Sequence, residues 1–481
     1  MVDTEPDGRA GRVVGVLALA GIVAALMQTL VVPLIGDLPK LLDTSASNAS
    51  WVVTATLLSA AVATPVAGRL GDMYGKRRML LALTVPLIAG SVVCALSSSV
   101  VPMIVGRGLQ GLGMGVVPLG ISLLRDVVPP AKLGSSIALM SASMGVGGAL
   151  GLPFSAAIAE NASWRMLFWI TGALALVVAA AVWLYVPAGE VRTVAGRFDV
   201  PGAVGLGVAL ISLLLAVSKG ADWGWGSGTT LGLFAVAVLA LLVWAWWELR
   251  TKEPLVDLRV TGRPQVLMTN AASILVGFAM YAQSLVVPQL LQLPEATGYG
   301  LGQSMMAMGL WMAPAGLMMM ALSPLGAKLS AARGPKVTLS VGSLVIAVGY
   351  ASAQLLLGST WGLLVVTLIC NTGVGLAYGA MPALIMGAVP QHETASANSF
   401  NTLMRSIGSS VSAAVMGVVL AQLTTDFGGH ALPSEAGFRV ALVIGAAVGL
   451  AAAAVAALIP VRPAAPALAQ EPTPEPSPAA G

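Results

Sequence analysis

The chain alternates between long apolar runs and short polar connections. Fourteen runs are long enough to cross the hydrocarbon core of a membrane as a helix, which takes about 20 residues. Their cores lie at 13–35, 51–67, 80–97, 101–124, 136–159, 166–186, 200–218, 229–247, 266–291, 303–325, 337–356, 360–386, 396–420 and 437–459. The pattern predicts an all-α membrane protein with 14 transmembrane helices. The first run is too long for the apolar region of a signal peptide, so we expect a retained span.

The distribution of basic residues predicts the orientation of these spans. Cytoplasmic loops of membrane proteins carry an excess of Lys and Arg. With both termini placed in the cytoplasm, 18 of the 24 basic residues fall in inner segments. Four fall in outer loops, namely Lys40, Arg165, Lys219 and Arg439. The other two, Arg107 and Arg405, lie inside apolar runs. We therefore expect cytoplasmic termini. The composition, rich in Arg, Ala and Gly, is typical of a GC-rich bacterium, and we expect a location in the cytoplasmic membrane.

The connections between the runs indicate the domain organisation. The longest inner connection is polar and contains Pro254 and Pro264, which is typical of a join between two halves. The predicted parts are a cytoplasmic N-terminus (1–12), an N-terminal six-helix bundle (13–186), two additional helices (187–248), a cytoplasmic connection (249–265), a C-terminal six-helix bundle (266–460) and a disordered cytoplasmic tail (461–481). No room is left for a soluble catalytic domain, so we expect no enzyme.

Composition excludes several classes of protein. With 57% hydrophobic residues, 9% charged residues and a mean hydropathy of +0.89, the chain is neither soluble, disordered nor nucleic-acid-binding. Cys94 and Cys370 have no Cys or His close to them in sequence, and His392 and His430 are 38 residues apart, which excludes the usual metal and haem spacings. No phosphate-binding loop of the G-x-x-x-x-G-K-[ST] type occurs. We expect no cofactor, and energy from an ion gradient.

The stretch from Gly68 to Arg78, between the second and third runs, is the most specific motif in the chain. Gly71 and Gly75 permit a tight turn and close contact between helices. Asp72 is suited either to accept hydrogen bonds from the N-terminus of a neighbouring helix or to pair with a basic group. The basic cluster at its end is suited to anchor a loop at the anionic inner leaflet; it consists of Lys76, Arg77 and Arg78.

This motif matches the loop signature G-x-L-x-D-x-x-G-[RK]-[RK] of the major facilitator superfamily, which the chain resembles over about residues 10–460. The stretch from Arg107 to Gly113 resembles the fourth-helix motif of its drug:proton antiporters, and the number of spans resembles that of the fourteen-helix family. The resemblance implies an exporter of amphipathic small molecules that works by alternating access and proton antiport. It also implies a gating motif that locks the two halves on the cytoplasmic side, formed by Gly68, Asp72, Gly75, Lys76, Arg77 and Arg78. We expect a monomer whose partners are the lipid bilayer, a small-molecule substrate and protons.

A second basic stretch, from Lys328 to Lys336, falls where the C-terminal half would repeat the first motif. It contains Gly334 but lacks the aspartate. We interpret it as one half of an internal repeat, of the kind that secondary transporters use.

Two departures from the family pattern affect the expected proton coupling. Gln28 occupies the position in the first span where the family commonly has an acidic residue. The fifth span keeps a face of small residues suited to helix packing but not the family's G-P-x-x-G-G pattern; it contains Gly147, Gly151, Pro153 and Ser155. Asp37 and Glu160, at outer span ends, are the nearest candidates for a proton carrier.

Polar groups inside the spans are the candidate substrate contacts. A charge at the bilayer centre costs at least about 2.5–3.5 kcal/mol, so it usually faces a cavity or a partner. Arg405 lies near the midplane, and Arg107 lies nearer the outer end. In the family fold the first and fourth helices line the cavity, so we expect Gln28, Arg107 and Gln110 to face one another. By the same resemblance, the seventh and tenth core helices contribute Tyr281, Gln283, Asn371 and Tyr378.

Arg107 and Arg405 have an alternative role, in which they brace helices instead of contacting a substrate. Neither arginine has an acidic neighbour within the spans, and such a cavity favours neutral or anionic amphiphiles over simple cations. A second function therefore stays open, that of an importer or uniporter of a polar or anionic metabolite on the same fold.

Overall fold

The computed structural model describes residues 5–31, 34, 38–187, 197–427 and 430–460. The N-terminus up to residue 4 and the tail predicted over 461–481 lie outside the described residues. The helices are α1 (Glu5–Thr29), α2 (Leu38–Leu41), α3 (Ala46–Tyr74), α4 (Lys76–Leu96), α5 (Val100–Leu112), α6 (Val116–Val127), α7 (Pro130–Asn161), α8 (Arg165–Tyr185), α9 (Val200–Trp223), α10 (Gly228–Arg250), α11 (Leu258–Thr261), α12 (Pro264–Gln292), α13 (Met305–Arg333), α14 (Pro335–Leu356), α15 (Thr360–Ala388), α16 (Thr394–Gln422) and α17 (Glu435–Leu458). Short 3₁₀ helices lie at Gly113–Gly115, Glu295–Thr297 and Gln391–Glu393.

Within the described residues, fourteen helical segments are long and apolar enough to cross a membrane. They comprise every helix except the four-residue α2 and α11, with α5, the 3₁₀ turn at Gly113–Gly115 and α6 forming one segment. The predicted all-α fold with 14 transmembrane helices is thereby confirmed. We call the side on which α1 begins the terminal side and the opposite side the far side.

A small β-hairpin accompanies the helices on the far side. Strands β1 (Thr424–Phe427) and β2 (His430–Pro433) pair antiparallel between α16 and α17. The Tyr299 hydroxyl donates a hydrogen bond of 2.6 Å to the Pro433 carbonyl. The hairpin is thereby fastened to the loop that follows α12.

Local chemistry explains where many helices begin. The first N–H groups of a helix have no partner within it, and a serine that precedes the helix accepts from one of them. Such caps are formed by Ser45, Ser227, Ser304, Ser359 and Ser434. Helices α7, α12 and α14 start instead with Pro130, Pro264 and Pro335, since proline lacks the N–H that the first turn leaves unpaired.

The spans form two six-helix bundles with two extra helices between them in sequence. The first bundle contains α1 and α3–α8, and the second contains α12–α17. The extra pair, α9 and α10, packs together, and α9 also contacts α3 of the first bundle and α16 of the second. Their shared apolar cluster joins Leu206, Trp244, Leu255 and Phe400.

Equivalent positions in the two bundles have the same local structure, which supports the internal repeat. Gly75, at φ 97°, is the single residue between α3 and α4, and Gly334, at φ 87°, is the single residue between α13 and α14. Positive φ strongly favours glycine. The next helix pair also packs through glycines in both bundles, Gly90 on Gly106 and Gly342 on Gly373. Because these pairs correspond by position, the basic stretch around Gly334 repeats the turn of the first motif without its aspartate.

Three sequence-based expectations about element positions are wrong. The first apolar run was expected to continue to residue 35, but α1 ends at Thr29. The Gly68–Arg78 motif was expected in a loop, but it forms the last turns of α3 and the start of α4, since Gly75 alone makes the turn. Lys219 was expected in an outer loop, but it lies within α9 and is buried, because Ser50 and Asp222 bind its ammonium group.

Candidate functional site

The two bundles meet on the terminal side through Asp72. Its carboxylate accepts hydrogen bonds from the backbone N–H groups of Ala395 (3.2 Å) and Ser396 (2.8 Å), in the first turn of α16. The residue that precedes α16, Glu393, makes no side-chain cap. Asp72 therefore caps a helix of the other bundle, where its negative charge also meets the positive end of the helix dipole.

Lys76 adds a second connection between the bundles. Its ammonium nitrogen lies 2.7 Å from Asp126 Oδ2 and 3.1 Å from the Thr394 hydroxyl oxygen, and donates to the Ser122 carbonyl at 3.2 Å. Ser122 also donates its hydroxyl hydrogen to Thr394 Oγ1 at 2.9 Å. Lys76 is buried in this network, so its expected contact with the lipid surface is wrong: the turn at Gly75 directs it between the bundles.

The remaining residues of the motif surround these contacts. Gly68 packs against Ser399 of α16 so closely that a β carbon would overlap its hydroxyl group. Arg77 donates to the Trp183 carbonyl of α8 at 2.6 Å, and Arg78 is exposed. We call the contacts of Asp72 and Lys76 with α16 the terminal gate, and in this structure the gate is closed.

The connection between α10 and α12 also contacts the terminal gate. Ser396 donates its hydroxyl hydrogen to the Leu255 carbonyl at 3.1 Å. Leu255 is buried in the apolar cluster that α9 and α10 share with α16. The two extra helices are thus linked to the residue whose backbone N–H Asp72 binds.

Arg107 is fully buried and bound to neutral acceptors. It donates to the carbonyls of Met27 (2.8 Å) and Val52 (3.3 Å) and to the side-chain oxygen of Gln110 (2.8 Å). Gln110 in turn donates to the Ser91 hydroxyl at 2.8 Å. Arg107 thereby connects α1, α3 and α5, and Gln110 adds α4.

Gln28 lies apart from this pair. Its side chain is exposed, and its amide nitrogen lies 3.5 Å from Met114 Sδ. Gln28, Arg107 and Gln110 were expected to face one another, and the structure brings only two of them together. Arg107 binds Gln110, whereas Gln28 contacts Met114. Gln28 follows Met27, whose carbonyl Arg107 binds.

Arg405 lies at the centre of a polar network between α12, α15 and α16. It donates to Asn401 Oδ1 at 2.8 Å and to the Thr402 hydroxyl at 3.0 Å, and its guanidinium carbon lies 4.9 Å from the centre of the Tyr378 ring. Asn401 donates to Asn270 and Ser273 of α12, at 2.8 Å each. Within the described residues, no carboxylate forms an ion pair with Arg405.

The other polar residues expected in the pathway lie along α12 and α15. Asn371 lies 3.5 Å from the Gln283 side-chain oxygen, and the Tyr378 hydroxyl lies 3.0 Å from Met280 Sδ. Gln283 and Tyr378 are buried, whereas Asn371 and Tyr281 are half-buried. These residues and Arg405 form a polar strip on the second bundle.

The small-residue face of α7 packs against both bundles. Gly147 contacts the Ile22 carbonyl, and Gly151 contacts Thr29, both on α1. Ser155 donates to the Leu30 carbonyl at 2.5 Å. On its other side α7 packs Pro153 against Gly309 of α13. A β carbon would overlap its neighbour at Gly147 and Gly151, so these glycines set the closeness of α7 and α1.

Sequence reasoning missed a buried acidic pair on the extra helices, Asp199 and Glu248. The sequence did contain a signal for Asp199. It directly precedes an apolar run that contains Gly202, and an Asp in that position typically caps the N-terminus of a helix. Glu248 gave no signal, because a carboxylate near the end of an apolar run is usually solvated.

Among the described residues no group of three or more His, Cys, Asp or Glu is placed to hold a metal ion. Asp37 lies outside the described residues, and so does the Glu160 side chain.

The sequence profile described as Major Facilitator Superfamily matches residues 17–413. The chain belongs to the major facilitator superfamily. This confirms the resemblance drawn from the Gly68–Arg78 motif.

Relatives within the major facilitator superfamily include transporters of known and unknown role. An uncharacterized transporter of Mycobacterium tuberculosis (strain H37Rv) is 29% identical over 427 residues, covering 87% of this chain but only 61% of that relative. The tetracenomycin C resistance and export protein of Streptomyces glaucescens is 27% identical over 425 residues, covering 85% of this chain and 76% of that protein. The crystal structure of the human organic anion transporter MFSD10 has a TM-score of 0.64 at 14% identity, covering 93% of this chain and 99% of that one. That likeness shows the fold alone.

Proposed function

We propose that this protein exports amphipathic small molecules by alternating access, and that export is coupled to protons entering in the opposite direction. The observation that carries the proposal is the cap that Asp72 places on α16 across the two bundles, because it gives one side of the pathway a gate that can close. Relatives named for tetracenomycin C export and for multidrug resistance support an export role.

We infer that the terminal side faces the cytoplasm, in the cell membrane. The support is the excess of basic residues in the segments on that side. With this orientation, the structure has its cytoplasmic gate closed. Substrate would then leave towards the outside while the gate is held by Asp72 and Lys76.

The polar strip of the second bundle is our proposed substrate contact, together with Gln28 of the first bundle. Arg405 supplies a positive charge, Tyr378 an aromatic face, and the amides of Gln283 and Asn371 hydrogen-bonding groups; Tyr281 adds a half-buried phenol. Because Arg405 has neutral partners among the described residues, we expect it to attract a neutral or anionic polar group on the substrate.

Arg107 and Gln110 have a different proposed role. Each hydrogen bond that Arg107 makes goes to a carbonyl or to Gln110, and both side chains are 1% exposed. We therefore assign them to bracing α1, α3, α4 and α5 around Gln28. A brace of this kind affects transport through the shape of the pathway.

A second candidate is import or uniport of an anionic metabolite. It is favoured by two buried arginines that have no carboxylate partner in the described spans, and by Gln28 at the position where the family commonly has an acid. The two functions differ in their response to a proton gradient.

Transport in proteoliposomes separates these candidates. Vesicles of defined orientation are loaded with a neutral, an anionic or a cationic amphipathic dye, and a pH gradient of either sign is imposed. A proton-coupled exporter moves neutral or anionic dye against its concentration gradient, in the direction opposite to that of the protons. Movement only down the dye gradient, whatever the pH gradient, establishes a uniporter and rejects proton-coupled export. Empty vesicles serve as the blank.

A further inference from the structure

Two buried carboxylates lie together where the extra helices meet the terminal side. Asp199 immediately precedes α9 and is 6% exposed, and Glu248 lies in the last turn of α10 and is 2% exposed. A β carbon on Gly202 would lie 2.1 Å from Asp199 Oδ2 and 2.7 Å from Glu248 Oε1. The two oxygens therefore share one small space beside this glycine, which no larger residue could occupy.

The oxygens in this space lack hydrogen bonds of normal length and angle from the described residues. Asp199 Oδ1 accepts from the Gly202 N–H at 2.9 Å and from the Trp247 indole N–H at 3.0 Å, but its Oδ2 has no partner. From the described residues, no hydrogen bond of normal length and angle reaches either oxygen of Glu248. A buried acceptor without a well-placed donor is unfavourable, and two ionised carboxylates that share one buried space repel each other.

Among the described residues, no basic side chain forms an ion pair with either carboxylate. The donors that face Glu248 are neutral: the Trp244 indole N–H of α10 and the backbone N–H groups of Leu255 and Val256 in the connection. Asp199 is the charged side chain that acts on Glu248. The basic side chains closest in sequence are Arg197, two positions before Asp199, and Arg250 and Lys252, just after Glu248. Arg197 and Lys252 are exposed, and Arg250 stacks on Trp246. Further along the connection, Arg259 donates to the Leu249 carbonyl. Of the elements packed beyond, α3 and α16 contribute the apolar Ala61 and Phe400 to the same cluster. The buried basic residue of α3, Arg69, acts on the carboxylate of Asp72.

We propose that Asp199 and Glu248 form a proton-binding site that holds one shared proton. A hydrogen on Glu248 Oε1, donated to Asp199 Oδ2, gives both unpartnered oxygens a partner and leaves a single negative charge, which the Gly202 and Trp247 N–H groups already bind. The site lies outside the polar strip of the second bundle. It goes beyond the proposed export function and does not depend on the direction of transport.

The site is also connected to the terminal gate. Glu248 lies against Leu255, and the Leu255 carbonyl accepts from Ser396, whose N–H binds Asp72. Loss of the shared proton leaves two like charges in one space and pushes the end of α10 away from the connection. The pair thereby links proton occupancy on the extra helices to the position of the first turn of α16.

Infrared spectroscopy of the full-length protein in detergent tests this site directly, without transport. We expect a carbonyl band of a protonated buried carboxylic acid in the wild type, lost as pH rises. Glu248→Gln removes this band, and Asp199→Asn shifts it. The matched control, Glu253→Gln, changes a half-buried carboxylate of the same connection and leaves the band in place. A wild-type spectrum without the band at any pH at which the protein is folded, or a band that survives Glu248→Gln, overturns the proposal.

A second measurement guards against variants that fold poorly. Thermal unfolding is followed from mildly acidic to mildly alkaline pH. A proton held in the folded state and lost on unfolding stabilises at low pH, and this stability disappears as pH rises. We expect the wild type and Glu253→Gln to lose melting temperature over this range more steeply than Glu248→Gln, whose amide permanently replaces the shared proton as donor. Equal slopes in all three proteins contradict the site, and a slope that responds to sodium instead of pH assigns it to a metal cation.

Discussion

Two buried charged residues of this protein are stabilised by partners that lie far away in sequence. Asp72 and Lys76 are buried, and each binds groups on α16, more than 300 positions further along the chain. Arg107 and Arg405 instead bind carbonyls, amides and hydroxyls. The first pair fixes how the bundles meet, whereas the two arginines act within one bundle each.

Replacing Asp72 with Asn should weaken the terminal gate and slow transport. The amide keeps one acceptor oxygen but loses the charge that favours the N-terminus of α16, and hydrogen bonds to a charged group contribute about 1.5–3 kcal/mol. A change of about 1.4 kcal/mol alters the ratio of closed to open gates tenfold. Dye transport in proteoliposomes, with expression checked by membrane content, measures the effect. Asp43→Asn, at an exposed position on the far side, is the control, and wild-type rates in Asp72→Asn would remove the gating role.

Replacing Arg405 with Gln should impair transport of anionic substrates more than that of neutral ones. Glutamine still reaches Asn401 or Thr402 but carries no charge, and it loses the stacking on Tyr378. We expect at least a tenfold loss in apparent affinity for an anionic dye, measured as KM in proteoliposomes. Arg439→Gln, on the exposed far side, is the control. Equal losses for anionic and neutral dyes would assign Arg405 to helix bracing.

At the scale of elements, contact between helices depends on glycine and on caps supplied from other helices. Helix α16 touches α12 through Gly277 and Gly408, where the backbones leave no space for a β carbon, and α7 touches α1 in the same manner. Small residues allow such close packing of helices in a membrane. The first turn of α16 is then capped by Asp72 from α3, so its position depends on both bundles.

Gly408→Ala should destabilise the protein, whereas Gly417→Ala should not. A β carbon at Gly408 would lie 2.0 Å from the Ile274 carbonyl oxygen, while one at Gly417, on the same helix, meets nothing within 4 Å. Overpacking typically costs about 1–3 kcal/mol, and alanine is intrinsically better in a helix than glycine by about 0.5–1 kcal/mol. Melting temperatures in detergent compare the two variants. Equal melting temperatures would mean that α12 and α16 can separate at no cost.

At the scale of the whole molecule, the protein consists of two repeated bundles and a helix pair that contacts both. Helix α9 packs on α3 and α16, and the connection after α10 reaches the terminal gate through Leu255. The extra helices therefore belong to the contact between the bundles, and motion of one bundle against the other has to involve them.

Reporters of membrane topology test the number of crossings and their orientation. Tags at residue 1, after residue 460 and in the far-side connection near Ser227 should place the two termini together and the Ser227 tag opposite them. We expect the termini in the cytoplasm, because basic residues are concentrated on that side. Termini on opposite sides would contradict the fourteen-span fold, and a shared outside location would contradict only the orientation.

The sequence predicts the helical spans of this protein well, since each depends on a local run of apolar residues, and residues 68–78 are enough to indicate the superfamily. It does not predict the surroundings of single side chains. Lys76 was expected at the lipid surface and Lys219 in a loop, but partners from distant segments bury both. The pairing of Asp199 with Glu248 was invisible for the same reason: 49 positions separate residues that tertiary packing brings together. Candidate substrate contacts stay predictions.

A turn of one residue leaves no slack between the helices that it joins. Gly75 alone separates α3 from α4, so Asp72 and Lys76, one on each helix, cannot travel independently. When α3 tilts away from α16, α4 has to follow at once, and the three hydrogen bonds that Asp72 and Lys76 make with α16 break in a single event. Opening of the terminal gate is therefore concerted. Intermediates in which only Asp72 or only Lys76 still binds α16 should be scarce.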